Sequence, residues 1–232
     1  MRIHFVGEHI DDDSATYAVV ACGGVAAQVC SAPAPHSAGS PAMHRFDVEA
    51  LTAGAWRNGG GATREIASWP AGTEEFGWRA SVADIERDGP FSAFPGVDRT
   101  LTLLTGEGVR LACPGVFDRL LARPGEPFEF SGDHALSAEL PGGACRVLNI
   151  MVRRGDRTAR VDRVTGPVVP PMGHAGVLYV LHGGWQAGTD ERALTSGQGL
   201  WWSGEDRDAP GRAIPPLSAD AAALWADIGA VA

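Results

Sequence analysis

The chain has no lysine: all 19 of its basic side chains are arginines. A nucleotide-binding Walker loop needs a lysine to reach the phosphates, so that class is excluded. Cysteine is scarce. Cys22, Cys30, Cys113 and Cys145 make no CxxC pair, and none stands near a histidine at finger spacing. Zinc-finger chemistry is thereby excluded, and free, mostly buried thiols in a reducing compartment are expected. No apolar run approaches the roughly 20 residues of a membrane helix. An excess of positive charge is also missing, the net charge being −9. Nucleic-acid binding needs at least a local basic face. The densest basic stretch, RRGDRTARVDR (153–163), is broken by two aspartates and is expected to be a solvated linker. The opening MRIHFVGEHIDDD puts acids where a signal peptide would be apolar. The expectation is a cytoplasmic protein with no nucleic-acid or membrane partner.

What is present is a pattern of short strands and turns. FGWRASVAD (76–84) alternates, RTLTLL-TGEG-VRLAC (99–113) has the form of a hairpin, and PFEFSGD (127–133) is a strand running into a turn. LSAELPGGACRVLNIMVRR (136–154) is two strands about a PGG turn; VLYVLHG (177–183) and GQGLWW (197–202) repeat the theme. Only SADAAALWADIGAV (218–231) has a helical composition, with Ser218 placed to cap it. Many short strands at regular spacing predict a β-sandwich or barrel. Residues 1–42 differ in texture. SAPAPHSAGSPA (31–42) is linker-like, and the strand TYAVVA (16–21) stands alone before it. The expected division is an N-terminal extension or mis-assigned start over 1–42 and one folded domain over 43–232.

Three consecutive glycines, Gly59, Gly60 and Gly61, sit in AWRNGGGATREIASWP (55–70). The strand-like ATREIA that follows lacks the helix of a dinucleotide fingerprint. Two roles remain: a tight corner, or the backbone-lined rim of a pocket with Asn58 as its amide.

AWRNGGGATREIA (55–67), FGWRASVADIERDGPFSAFPGVDRTLTLLTGEGVRL (76–111) and LPGGACRVLNIMVRRG (140–155) closely resemble the HutD/Ves family, in the family's order. The match covers roughly residues 44–205. The resemblance implies an all-β, cupin-type jelly-roll barrel with two barrel halves in one chain (a bicupin), commonly paired as a homodimer. It also implies a link to histidine utilisation as a small-molecule binder or regulator, with N-formylglutamate as the ligand class.

A metal-binding cupin shows GxxxxxHxHxxxxE and then PxGxxHxxxN. Here the first region offers Trp78, Arg79, Ser81 and Asp84, with no HxH. In the second, PGGACRVLN, Arg146 stands in place of the histidine and Asn149 falls one residue early. A pocket without metal or other cofactor is expected, and one that favours an anion. A dicarboxylate calls for planar arginine donors. The residues assigned to the ligand are Asn58, Arg64, Glu65, Trp78, Arg79, Ser81 and Arg146; no residue is assigned to catalysis or metal. Strand parity puts Arg79, Ser81 and Ala83 on one face and Trp78, Ala80 and Val82 on a packing face. Alternatives stand beside these roles. Arg79 pairs with Asp84 or Glu86, Arg64 folds onto Glu65 and Asp88, and Arg99 is structural. His174 and His182 share parity but lack a third ligand.

The leading expectation is thus a non-enzymatic receptor for a small anionic metabolite. A metal-free isomerase, lyase or hydrolase, using Glu65, Asp84 or a histidine as acid or base, is the rival. A partner-binding module is a third class.

Overall fold

The computed structural model describes residues 43–73, 75–187, 192–205 and 212–231. The segment 1–42, with its expected strand at 16–21 and with Cys22 and Cys30, lies outside the described residues. Fifteen strands are formed among the described residues: β1 (His44–Asp47), β2 (Ala53–Ala55), β3 (Gly61–Trp69), β4 (Trp78–Ile85), β5 (Gly89–Phe91), β6 (Val97–Thr105), β7 (Val109–Cys113), β8 (Phe117–Leu121), β9 (Pro127–Ser131), β10 (Leu136–Glu139), β11 (Cys145–Arg153), β12 (Arg157–Val164), β13 (Ala175–His182), β14 (Gln198–Trp202) and β15 (Ala222–Ala230). They make three antiparallel sheets. The order is β2-β3-β4-β11-β6-β9 in a six-stranded sheet, β1-β14-β13-β15-β12 in a five-stranded one and β5-β10-β7-β8 in a four-stranded one.

The alternation of side chains along a strand sets the layering. Trp78, Ala80 and Val82 of β4 join Leu148, Ile150 and Val152 of β11 on one face of the six-stranded sheet. That face packs on Val177, Tyr179, Leu224, Ala226 and Ile228 of the five-stranded sheet. The other face carries Ala83, Leu101, Leu103 and Val147, packed on Leu111, Leu121, Leu136 and Ala138 of the four-stranded sheet. The six-stranded sheet is therefore a shared middle layer with a core on each side. Burial on both faces explains apolar runs such as Leu103-Leu104 and Ile150-Met151-Val152. Each sheet is open, with two edge strands, rather than closed into the barrel expected from the resemblance.

Three local expectations are corrected. The first concerns 99–113: β6 and β7 are consecutive, but they lie in different sheets. The TGEG segment carries the chain across to the next sheet. Gly106 has φ +102° and a Cβ there would run into Cys145, so the crossing accepts only glycine. The second is the alanine-rich tail, which forms β15 in the interior of the five-stranded sheet instead of a helix. Leu224, Ala226 and Ile228 face the middle layer, while Ala221 and Ala223 face a second cluster with Trp185 and Trp202. Burial on two faces outweighs a helix preference worth less than about 1 kcal/mol per residue. The third is 153–163, which is a tight turn and the edge strand β12, with Arg154 tied to Asp98 and Asp133. Thr158, Arg160 and Asp162 share its outward face, while Ala159 and Val161 face the core.

Cys113 and Cys145 are free and buried. No helix among the described residues is long and apolar enough to cross a membrane.

Candidate functional site

The face of the middle sheet that packs on the four-stranded sheet also floors a cavity of about 470 Å³. Arg79, Ser81 and Ala83 of β4, Val147, Asn149 and Met151 of β11, and Arg99 and Leu101 of β6 form the floor. Trp56, Arg57 and Asn58, which follow β2, form one wall; Pro90, Phe91, Ser92 and Phe94 form another. In a chain of net charge −9, this cavity is lined by three arginines and no carboxylate.

The glycine run makes the corner that holds the first wall. Trp56 N donates to Gly61 O at 2.8 Å and Gly60 N to Asn58 Oδ1 at 3.0 Å, and Gly59 has φ +66°. The residues just before the glycines, rather than the glycines themselves, reach the main cavity. Gly60 lines a smaller neighbouring pocket of about 120 Å³. Trp56 is fixed by its Nε1, which donates to Thr63 Oγ1 at 2.8 Å, and its ring meets Phe91 edge-on at 6.1 Å.

Arg99 is 6% exposed and has no ion pair among the described residues. Its Nε and Nη2 donate to Asn149 Oδ1 at 3.4 and 3.3 Å, and its Nη1 donates to Ser92 O at 3.3 Å. The rings of Phe91, Phe94 and Phe130 lie 5.6, 5.2 and 5.2 Å from the guanidinium carbon. Long neutral hydrogen bonds and ring faces replace part of the lost hydration, but they supply no negative charge. Burial, and then the charge of Arg79, lower its pKa to about 10, so Arg99 is still a cation at neutral pH. A buried cation without a counter-ion is costly, and an anion in the cavity would remove that cost.

Of the seven residues assigned to the ligand, Asn58, Arg79 and Ser81 line the cavity. Glu65 stands beside it, accepting from Arg79 Nε at 2.7 Å and from Ser68 Oγ at 2.9 Å. Arg79 does form an ion pair, but with Glu65 instead of Asp84 or Glu86. Arg64, Trp78 and Arg146 are on the opposite face. Arg64 lies across from Val82, and Arg146 across from Asp84. Trp78 is fully buried in the inner core. Arg64 and Arg146 both bind Asp84, the second with Nε at 2.6 Å from Oδ1, and Arg146 also reaches Glu49. Arg64 therefore turns to Asp84 rather than to Glu65 and Asp88. Burial opposes the charge on Asp84, but the hydrogen bonds from Arg146 and Arg64 outweigh it and hold the pKa below the usual carboxylate range. Asp84 is accordingly a poor proton acceptor.

His174 bonds Asp227 through Nδ1 at 2.8 Å, and His182 stands 3.4 Å from Arg163. Among the described residues no three His, Cys, Asp or Glu side chains are grouped to hold a metal ion.

The three long motifs meet in this cavity. The first supplies the Trp56 wall and Thr63, the second Arg79 to Leu101, and the third Val147 to Met151. The profile of the HutD family matches residues 48–218. The chain belongs to the HutD family. Protein Ves of Citrobacter koseri is 43% identical over 162 residues, which is 69% of this chain and 83% of that relative. HutD from Pseudomonas fluorescens is 26% identical and superposes with a TM-score of 0.71, over 82% of this chain and 100% of its own. An oxalate decarboxylase of Lactobacillus farciminis is 8% identical, with a TM-score of 0.55 over 82% of this chain and 86% of its own, and shares the fold alone. The all-β fold is cupin-like.

Two residues of the HutD-family cavity escape a reading by sequence neighbours. Arg99 follows Asp98, which suggests a local ion pair, yet Asp98 bonds Arg154 at 2.6 Å on the other side of the strand. Asn149 draws attention only as a misplaced metal-motif asparagine. The usable signal is parity: Arg99 shares a face with Val97, Leu101 and Leu103, where a charge is out of place.

Proposed function

We propose that this HutD-family chain is a cytoplasmic, metal-free receptor whose cavity binds a small anionic metabolite, with a regulatory role in histidine utilisation. N-formylglutamate, a dicarboxylate, is the proposed ligand. The observation that carries the proposal is Arg99, a buried guanidinium with no acidic partner among the described residues, in a cavity whose described lining holds arginines and no carboxylate. Arg79 supplies a second cation, because its only side-chain hydrogen bond among the described residues uses Nε and leaves the terminal NH₂ groups for a ligand. A bicupin plan belongs to the same proposal, with the cores on the two faces of the middle sheet as its two halves.

Calorimetric titration with N-formylglutamate and with its neutral diamide tests the proposal. The acid is expected to bind and the diamide is not. At a free concentration about 100 times Kd, binding stabilises the fold by about 2.7 kcal/mol. That corresponds to a rise of a few degrees in Tm. Equal binding of acid and diamide, or binding of neither, contradicts it. Conversion of N-formylglutamate by the pure protein would move the assignment to a metal-free enzyme.

A further inference from the structure

The small pocket of about 120 Å³ shares its walls with the main cavity. Trp56, Asn58, Pro90 and Phe91 line both spaces, so the partition between them is a single layer of side chains. Beyond that layer the back of the small pocket is apolar, where Ile85 and Ala138 are 0% and 1% exposed. The exposed Arg87 and Asp88 stand at its outer side, and Asp88 accepts from Leu140 N at 2.7 Å.

The two aromatic members of the partition differ in how they are held. Trp56 is tied by its indole nitrogen to Thr63 and by its main chain to Gly61. Phe91 has no such side-chain tether. It ends β5, an edge strand of 3 residues in which Pro90 has no N–H to give a partner. Its ring meets Trp56 edge-on and lies 5.6 Å from the guanidinium carbon of Arg99. An anion paired with Arg99 therefore comes up beside the Phe91 ring. Any group it carries on that side meets the ring before the apolar space behind it.

We propose, resting on the anion-binding role above, that the small pocket is a side chamber of the main cavity, and that Phe91 sets how large an apolar substituent the bound anion can carry. With the ring in place the chamber is shut and a small substituent alone fits. Without it the two spaces join, and an alkyl chain enters along Ile85 and Ala138. Two probes differ in that substituent alone: N-formylglutamate, and N-pentanoylglutamate, which carries a butyl group where the formyl hydrogen stands. By calorimetry, wild-type protein is expected to bind the formyl probe about tenfold or more tighter, the usual size of a steric misfit in a packed site. Phe91→Ala is expected to tighten the pentanoyl probe to within about threefold of the formyl one, because the chamber then gives the chain an apolar place. Phe91→Leu, which keeps an apolar side chain against Trp56, is expected to give part of that gain. Phe94 also lies against Arg99 but lines the main cavity alone, so Phe94→Leu is expected to keep the wild-type preference. Equal wild-type affinity for the two probes overturns the partition and leaves the anion site standing. So do Phe91 variants that weaken both probes alike or leave their ratio unchanged, and so does an equal gain for the pentanoyl probe in Phe94→Leu. Failure of both probes to bind wild-type protein removes the anion site, and the proposal with it.

Discussion

Arg64 and Arg146 share one carboxylate, Asp84, while Arg99 has none among the described residues. The same residue type is a structural clamp on one face of the middle sheet and an open donor on the other. Strand parity, readable in the sequence, separates Arg79 and Ser81 from Trp78. It also separates Arg64 and Arg146 from the cavity, but only once the pairing register of β3, β4 and β11 is known, and a single sequence does not contain that register. The Asp84 clamp has a pH signature. Its pKa in the folded chain lies below the unfolded value of about 3.9. Its contribution is therefore present above pH of about 4 and is lost as pH falls through the folded pKa. Asp133 behaves alike: the Gly96 amide, then Arg154 and Ser131, hold it down at about 2. Tm is expected to be flat from neutral pH down to about 5 and to fall below about 4. Asp84→Asn is expected to lower stability at pH 7 by about 1.5–3 kcal/mol, since it unpairs two charged donors. It should also reduce the fall in acid. A variant with wild-type urea midpoint at pH 7 would show that the clamp contributes nothing.

Strands were more legible than their partners. The alternation over 76–84 becomes β4, and VLYVLHG and GQGLWW become the paired β13 and β14. The crossing from β6 to β7 was not legible, because a glycine-bearing turn between apolar runs looks the same whether the strands pair or part. β15 was hidden for a different reason. Its alanines suit a helix locally, and the need for small side chains in a strand buried on both faces appears only in three dimensions. The crossing is directly testable. Gly106→Ala places a Cβ at φ +102° against Cys145. It is expected to cost more than about 1 kcal/mol in urea unfolding. Gly166→Ala, at a position with open space and no positive φ, is expected to stay within about 0.5 kcal/mol of wild type. Equal midpoints for the two variants would deny that the crossing requires glycine.

At the scale of the whole molecule, the chain is acidic while the cavity floored by Arg79 and Arg99 is cationic. Several surface arginines are paired: Arg154 with Asp98, Arg110 with Asp118 and Arg119 with Glu126. The described residues hold three large cores and a smaller fourth cluster of Phe76, Val97 and Met151, served by three sheets. A chain beginning at Met43 is accordingly expected to melt at nearly the temperature of the full chain, and a clear drop would give residues 1–42 a share in the fold. The central claim is that Arg99 is held without a counter-ion so that a ligand can supply one. Asn149→Asp tests it most directly, because it places a carboxylate where Arg99 already donates twice. Tm of the unliganded protein and calorimetric binding of N-formylglutamate are measured for wild type and variant. The account predicts that the introduced carboxylate raises the unliganded Tm by a few degrees and abolishes binding. Binding by Asn149→Asp with wild-type affinity, or no binding by the wild type itself, would contradict it.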